Sequence, residues 1–412
     1  MFFSFPTTYI LRAALLLALS LPMSARSVEW SGLLDARAQT SDGERSWTRA
    51  GMGKTRFDSA GFRAGQAILG AQMDISDAVR GFAVLNASDD RRGLVDLQEA
   101  WLGWNPVPTG PWKVRIKVGL FFPPVNQEID YDRLTWTPTR TISASAINSW
   151  IGEELRTKGL ELCLTHRGRA SGSPHDFGAT AAIFNGNDPA GTLLAWRGWA
   201  IGDRITGVSE AIRLADLPVY RSDGAITKQT RDINLLREID GRAGYYAALN
   251  YAYSEVVEVA VMHYDNRGDP LIVKAGQYSW ATKFNHLGLR IHPGGGWELM
   301  TQWLTGSTAM GARAVAIDYR AWYVLASHPL GPGTATLRYD QFRTREHDLL
   351  PSDPNSEDGR AVALAYVFQI NPTVNLVTEL LALHSVRQAR VLLGDSPSQH
   401  ERSLTTSLRW QF

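Results

Sequence analysis

Apolar and polar residues alternate along this chain in segments of about nine to eleven residues, the length at which a tilted β-strand crosses a bilayer. In the first segment Val28, Trp30, Gly32, Leu34 and Ala36 share one parity, and Glu29, Ser31, Asp35 and Arg37 share the other, with Leu33 as an exception. In Trp112–Leu120 the separation is complete: Trp112, Val114, Ile116, Val118 and Leu120 on one face, Lys113, Arg115, Lys117 and Gly119 on the other. A two-residue period puts such sets on opposite faces of a sheet, whereas a helix would mix them. Similar runs occur at Ala67–Ile75, Val79–Ala87, Leu160–Leu164, Tyr245–Tyr253, Val257–Val261, Val315–Leu325 and Val362–Phe368, and Val95–Trp104 has the blurred parity of a bulged strand. The last segment, Leu404–Phe412, alternates apart from Thr406 and ends on an aromatic residue.

The connections alternate as well. Short ones carry turn residues, at Ser76-Asp77, Asn105–Pro111, Ser254-Glu255, Pro293–Gly296, Gly331–Gly333 and Asn371-Pro372. Long polar ones lie between them, at Thr40–Ala60, Asp265–Gln277, Thr344–Asp358 and Ser385–Glu401. This is the asymmetry of short periplasmic turns and long outer loops in a bacterial outer-membrane barrel. About seventeen candidate strands can be counted, and up-down parity breaks between Asn185 and Gly241; because such barrels have an even number, the expectation is sixteen strands, with eighteen as the alternative. The fold class expected is all-β, a transmembrane antiparallel barrel.

The N-terminus adds a targeting signal. Arg12 precedes the apolar run Ala13–Leu19, and Ser24, Ala25 and Ser27 follow, as in a cleaved secretory signal peptide over residues 1–26. The expected mature barrel is then 27–412, which places the protein in the outer membrane of a Gram-negative bacterium. The 412 residues show no linker and no repeat; 14 tryptophans and 13 tyrosines suit interfacial aromatic girdles. A net charge of +1 offers no overall field for nucleic acid, and the single Cys163 excludes an intramolecular disulfide. The nine histidines are scattered and accompany no serine motif, no zinc spacing and no glycine-rich phosphate loop. The expectation is therefore no enzyme, no metal and no cofactor.

Candidate pore residues follow from parity. Lys113, Arg115 and Lys117 form a cation ladder on one lumen face, with Arg80, Arg338, Arg63 and Arg320 as further candidates and Asp74, Asp318 and Asp340 as acids that could neutralise them. After the ladder comes an insert, 121–157, too long for a simple turn. It carries Glu128, Asp130, Asp132, Arg133, Arg140, Glu153 and Glu154, together with Trp136, Trp150, Ile142, Ile147 and Ile151. Folded inward it would constrict the pore, with its acids facing the ladder.

Three stretches, Val95-Asp96-Leu97-Gln98-Glu99-Ala100-Trp101, Lys117–Pro124 and Ser143–Arg156, resemble the phosphate-selective porin O/P family and related outer-membrane porins, as do Ala195–Trp199 and Ile239–Arg242. The resemblance implies a trimeric porin passing small, often anionic solutes; separately, the aromatic end of Leu404–Phe412 resembles the signature by which barrel-assembly machinery recognises its clients. That family filters phosphate with arginine ladders and a lysine cluster; this chain has one short ladder, so phosphate itself is not implied. The expected function is passive diffusion of small polar solutes. The alternatives are a plugged barrel with a binding or structural role, and a barrel hydrolase.

Overall fold

A computed structural model describes residues 27–90, 95–125, 127–130 and 136–412, with the side chain of Asp130 outside it. The expected signal peptide, Asp132 and Arg133 also lie outside the described residues. Sixteen strands form one closed barrel in which every neighbour in sequence is a neighbour in space and every pairing is antiparallel. They are β1 Val28–Ser41, β2 Gly61–Asp74, β3 Val79–Ala87, β4 Val95–Trp104, β5 Trp112–Phe121, β6 Thr157–His166, β7 His175–Asn185, β8 Gly244–Tyr253, β9 Val257–Asp265, β10 Ala281–Gly294, β11 Trp297–Met310, β12 Val315–Leu330, β13 Gly333–Glu346, β14 Glu357–Asn371, β15 Val374–Arg387 and β16 Ser398–Gln411. The expected sixteen strands are present, and the parity break between Asn185 and Gly241 falls on residues 186–243, which contribute nothing to the barrel ladder. That long insert, with helix α2 (Thr192–Trp196), folds into the lumen instead.

Closure removes the free edge that a bilayer cannot tolerate. β1 pairs with β16, and the last residue takes part: Gly32 N donates to Phe412 O at 3.0 Å and Phe412 N to Gly32 O at 3.2 Å. A Cβ at Gly32 would stand 2.4 Å from the Phe412 ring, so a larger residue there would make that ring shift.

The parity exceptions have local causes. Leu33 points inward and packs with Ile68 and Val84 in a small lumen cluster. Thr406 points outward and its hydroxyl meets that of Thr378 on β15 at 3.2 Å. The blurred segment is bulged: Val84 opposes Glu99 and Leu85 opposes Leu97, which leaves Gln98 as the extra residue.

The outer face presents Leu34, Leu102, Val118, Leu249, Leu364 and Leu408, all exposed. Trp104, Trp112, Tyr253, Trp297 and Trp410 are exposed at strand ends beside the short turns. An apolar belt bordered by an aromatic girdle is the surface that hydrocarbon and its interface select, and it places this closed barrel in the outer membrane. Two expected lumen residues belong to this outer face: Asp318 and Arg320 alternate with the buried Ile317, Tyr319 and Ala321, so they point away from the lumen near the long-loop end of β12. No helix among the described residues is long and apolar enough to cross a membrane.

Candidate functional site: a lumen narrowed by two inserts

The first insert occupies 122–156, within one residue of its expected limits at each end. Its helix α1, Ala146–Glu154, is capped by Ser145, whose hydroxyl accepts from Asn148 N, and all nine of its residues are buried. It packs across the lumen on β11, β12 and β13. Trp150 meets Trp199, Phe284 and Tyr319 edge-on, with ring centroids 5.4 to 5.9 Å apart.

Irregular backbone inside a barrel must find partners for its polar groups. Wall side chains supply them. Glu379 on β15 accepts from Ile142 N at 2.8 Å and Ser143 N at 3.2 Å, and Asp340 on β13 accepts from Ala146 N at 3.1 Å. Arg338 on β13 donates to Ser143 O at 2.5 Å and Ala144 O at 3.2 Å, and pairs with Glu128 at 3.3 Å and Asp340 at 2.8 Å. Arg409 on β16 reaches Pro138 O and Thr141 O at 3.2 and 3.3 Å. Gln302 on β11 accepts from Asn148 Nδ2 at 2.7 Å.

The second insert locks onto the first. Asn187 Oδ1 accepts from Arg156 N at 2.9 Å, and Glu154 accepts from Leu193 N at 2.9 Å. Arg197 Nη1 donates to Glu153 at 2.6 Å. Wall and loop residues hold it too: Lys54 Nζ donates to Arg197 O at 2.8 Å, Glu357 accepts from Trp199 N at 2.9 Å, and Asp353 accepts from Trp196 Nε1 at 2.9 Å. The lumen beside β8–β14 is thus filled with packed aromatic and aliphatic side chains, among them Trp150, Trp196, Trp199, Trp280 and Tyr264.

The opposite side, along β16 and β1–β6, is charged. Oppositely charged groups alternate there in a column. Arg409 lies 3.4 Å from Asp35, which is 2.5 Å from Arg37; Arg37 is 2.5 Å from Asp203, which is 2.9 Å from Arg56; Arg56 is 2.8 Å from Asp90, which is 3.5 Å from Arg204; Arg204 then pairs with Glu210. These arginines hold the loop carboxylates of Asp203 and Asp90 well below the usual range, although burial opposes the shift. The column opens at the long-loop end on a pocket of about 440 Å³, lined by Arg45, Arg49, Arg204, Arg213 and Arg231 against Asp90 and Glu210. Water can serve the polar atoms left over on this side: Gln98 is fully buried, yet neither atom of its amide has a hydrogen-bond partner among the described residues, nor do Arg409 Nη2 and Arg115 Nε.

The predicted ladder faces this charged side. Lys117 is 3% exposed and lies 3.2 Å from Glu161 on β6, its register partner; Arg115 lies 3.8 Å from the same carboxylate with a side chain 40% exposed. Lys113 stands nearer the short-turn end. The neutralising acid was missed in sequence, although the outward parity of Leu160, Leu162 and Leu164 places Glu161 inward. Arg80 faces inward near the short turns and pairs with Asp74 at 2.6 Å; Arg63 reaches Ser59 Oγ at 2.9 Å. Arg338 points inward but is wholly covered by the first insert, which removes it from contact with solute.

Among the described residues, the acids of the first insert do not face the ladder. Glu128 meets Arg338 on the far wall, Glu153 meets Arg197 and Trp47 Nε1, Glu154 meets Trp150 and Leu193, and Arg140 meets Glu298 at 2.6 Å. Their burial makes an immediate partner worth more than a field across an open pore. Burial raises the Glu154 carboxyl to about 7 and, with Glu238 and Asp240 nearby, raises Asp188 to about 7.

No known family profile matches the chain, and no curated protein matches it. Solved structures do match in fold. The outer membrane channel DcaP of Acinetobacter baumannii is similar at a TM-score of 0.56 and 10% identity, over 95% of this chain and 99% of that one. The anion-selective porin from Comamonas acidovorans is similar at 0.52 and 12%, over 94% of this chain and 100% of that one. A loop-deletion form of OmpT, an outer membrane protein of Vibrio cholerae, gives 0.52 and 10% over the same shares. At these identities the likeness is one of fold: this chain has the sixteen-stranded architecture of outer-membrane porins.

Proposed function

We propose that the protein is a narrow outer-membrane channel for small polar solutes, with a preference for anions. The observation that carries this reading is the pocket at the mouth into which the charged column opens: five arginines and two acids line it, and while Arg49, Arg204, Arg213 and Arg231 each pair with a carboxylate, Arg45 has no ion-pair partner among the described residues. Cations so placed raise the local concentration of anions entering a confined path. Size exclusion comes from the two inserts, and Lys113 and Arg115 extend the bias toward the short-turn end. The long loops face outward and the short turns face the periplasm, as in other barrels of this kind. A homotrimer, a cleaved signal peptide over 1–26 and recognition of the Phe412 strand by assembly machinery belong to the same reading, as does phosphate as one anion to test.

A second reading has its own support. All nine residues of α1 are buried, as the inserts of a plugged binding or structural barrel would be. Planar-bilayer recording of the purified protein under a KCl gradient separates the two. Steady small steps with a chloride-biased reversal potential support the channel; a folded protein that gives no steps supports the plug.

A further inference from the structure

The outer wall carries a feature that the lumen does not use. On β14, β15, β16 and the end of β1 the outward row Val362, Ala382, Arg402 lies next to the row Leu364, Leu380, Leu404. Ala382 is short, and the wall sinks around it into a groove of about 480 Å³ floored by Val362, Leu364, Leu380 and Leu404. The groove lies at the top of the apolar belt, on the long-loop side.

Its upper edge is cationic. Arg402 lines it, and Arg360 occupies the outward row immediately above, in register with His384. His384 and His400 stack there with ring centroids 4.3 Å apart. Arg360 and Arg402 are exposed, and neither has an ion-pair partner among the described residues. Arginines higher on the wall differ, since Arg343 and Arg345 share Asp358 at 2.5 Å each. One carboxylate borders the groove, Asp42, which accepts from Arg402 N.

An apolar trough below unpaired cations at the level of lipid headgroups matches one kind of occupant. We infer that this groove binds an anionic, phosphorylated lipid of the outer leaflet, one acyl chain lying along Ala382 and the phosphate held between Arg360 and Arg402. Charge complementarity favours such a lipid over a zwitterionic one, because two unpaired guanidiniums beside hydrocarbon attract a phosphate ester with no cation of its own.

Native mass spectrometry of the detergent-solubilised protein titrated with lipid A, the diphosphorylated acylated disaccharide, tests this. Phosphatidylethanolamine and dephosphorylated lipid A are the controls, and heat-modified gel mobility confirms the folded barrel. The wild type is expected to retain lipid A over both controls. The double variant Arg360→Gln/Arg402→Gln should lose about thirtyfold in retention, at about 1 kcal/mol per cation near an anionic lipid surface. Ala382→Phe, which fills the groove and leaves the charges, should lose it as well. Equal retention by folded wild type and both variants overturns the inference. So does Ala382→Phe that dissociates an oligomer while keeping its lipid, which would make a second copy of the chain the occupant.

Discussion

Glu161 decides how much of the cation ladder a solute feels. It opposes Lys117 across the β5–β6 ladder and lies within 3.2 Å of its ammonium, with Arg115 at 3.8 Å. Replacing Lys113, Arg115 and Lys117 together by alanine should shift the reversal potential toward cations, whereas Glu161→Gln should shift it toward chloride by removing the carboxylate that faces Arg115. Unchanged reversal potentials in both variants would take the ladder out of the conduction path. Arg338 has a different part. It bonds Thr141, Ser143 and Ala144 of the first insert and pairs with Glu128 and Asp340 while wholly buried. Arg338→Met would leave two buried carboxylates short of a partner, a loss of about 3–5 kcal/mol. Protease sensitivity should rise around residues 136–148 while the heat-modifiable barrel persists; an insert as resistant as wild type would contradict this role.

At the scale of elements, strands were readable and inserts only in part. Each strand is its own two-residue code, because one face meets lipid and the other does not. That code found Trp112–Leu120 and Leu404–Phe412 and gave both limits of the first insert to within a residue. The burial of Trp136, Trp150, Ile142, Ile147 and Ile151 was legible from their apolar character in a loop. The second insert was not: the parity break between Asn185 and Gly241 marked only a failed strand count, and the burial of Leu193, Leu194, Trp196 and Trp199 inside the lumen depends on tertiary packing. The charged column was not legible either, because Arg37 and Asp203 stand 166 positions apart and nothing local announces the pair.

The junction of the inserts should respond to pH. Glu154 is raised from 4.5 to about 7, chiefly by burial. Between those values the docked chain keeps a proton that a released chain has lost, so docking is strongest below pH 4.5 and weakens as pH rises through about 7. Asp188, raised from 3.8 to about 7, acts in the same direction. Amide exchange over residues 187–196 should quicken as pH is raised from 5 to 8, after correction for intrinsic rates, and Glu154→Gln should flatten that dependence. Exchange that slows with pH would reverse the assignment.

The whole molecule is a wide barrel made narrow. Sixteen strands enclose more space than wall side chains alone can fill, and here two inserts fill it unequally: a packed aromatic mass beside β8–β14, and a polar column beside β16 and β1–β6. The wall charges that secure the inserts are buried on both sides, and the column on the polar side leads to the arginine-lined mouth. Confinement and charge thus come from different parts of the same lumen. The most direct measurement compares single-channel conductance of the wild type with that of a chain whose residues 186–243 are replaced by a short glycine-serine turn joining β7 to β8. The account predicts small, chloride-biased steps in the wild type and steps several times larger, with weaker ion preference, in the replaced chain. Equal conductance in the two folded proteins would contradict it, because the second insert would then not define the pore.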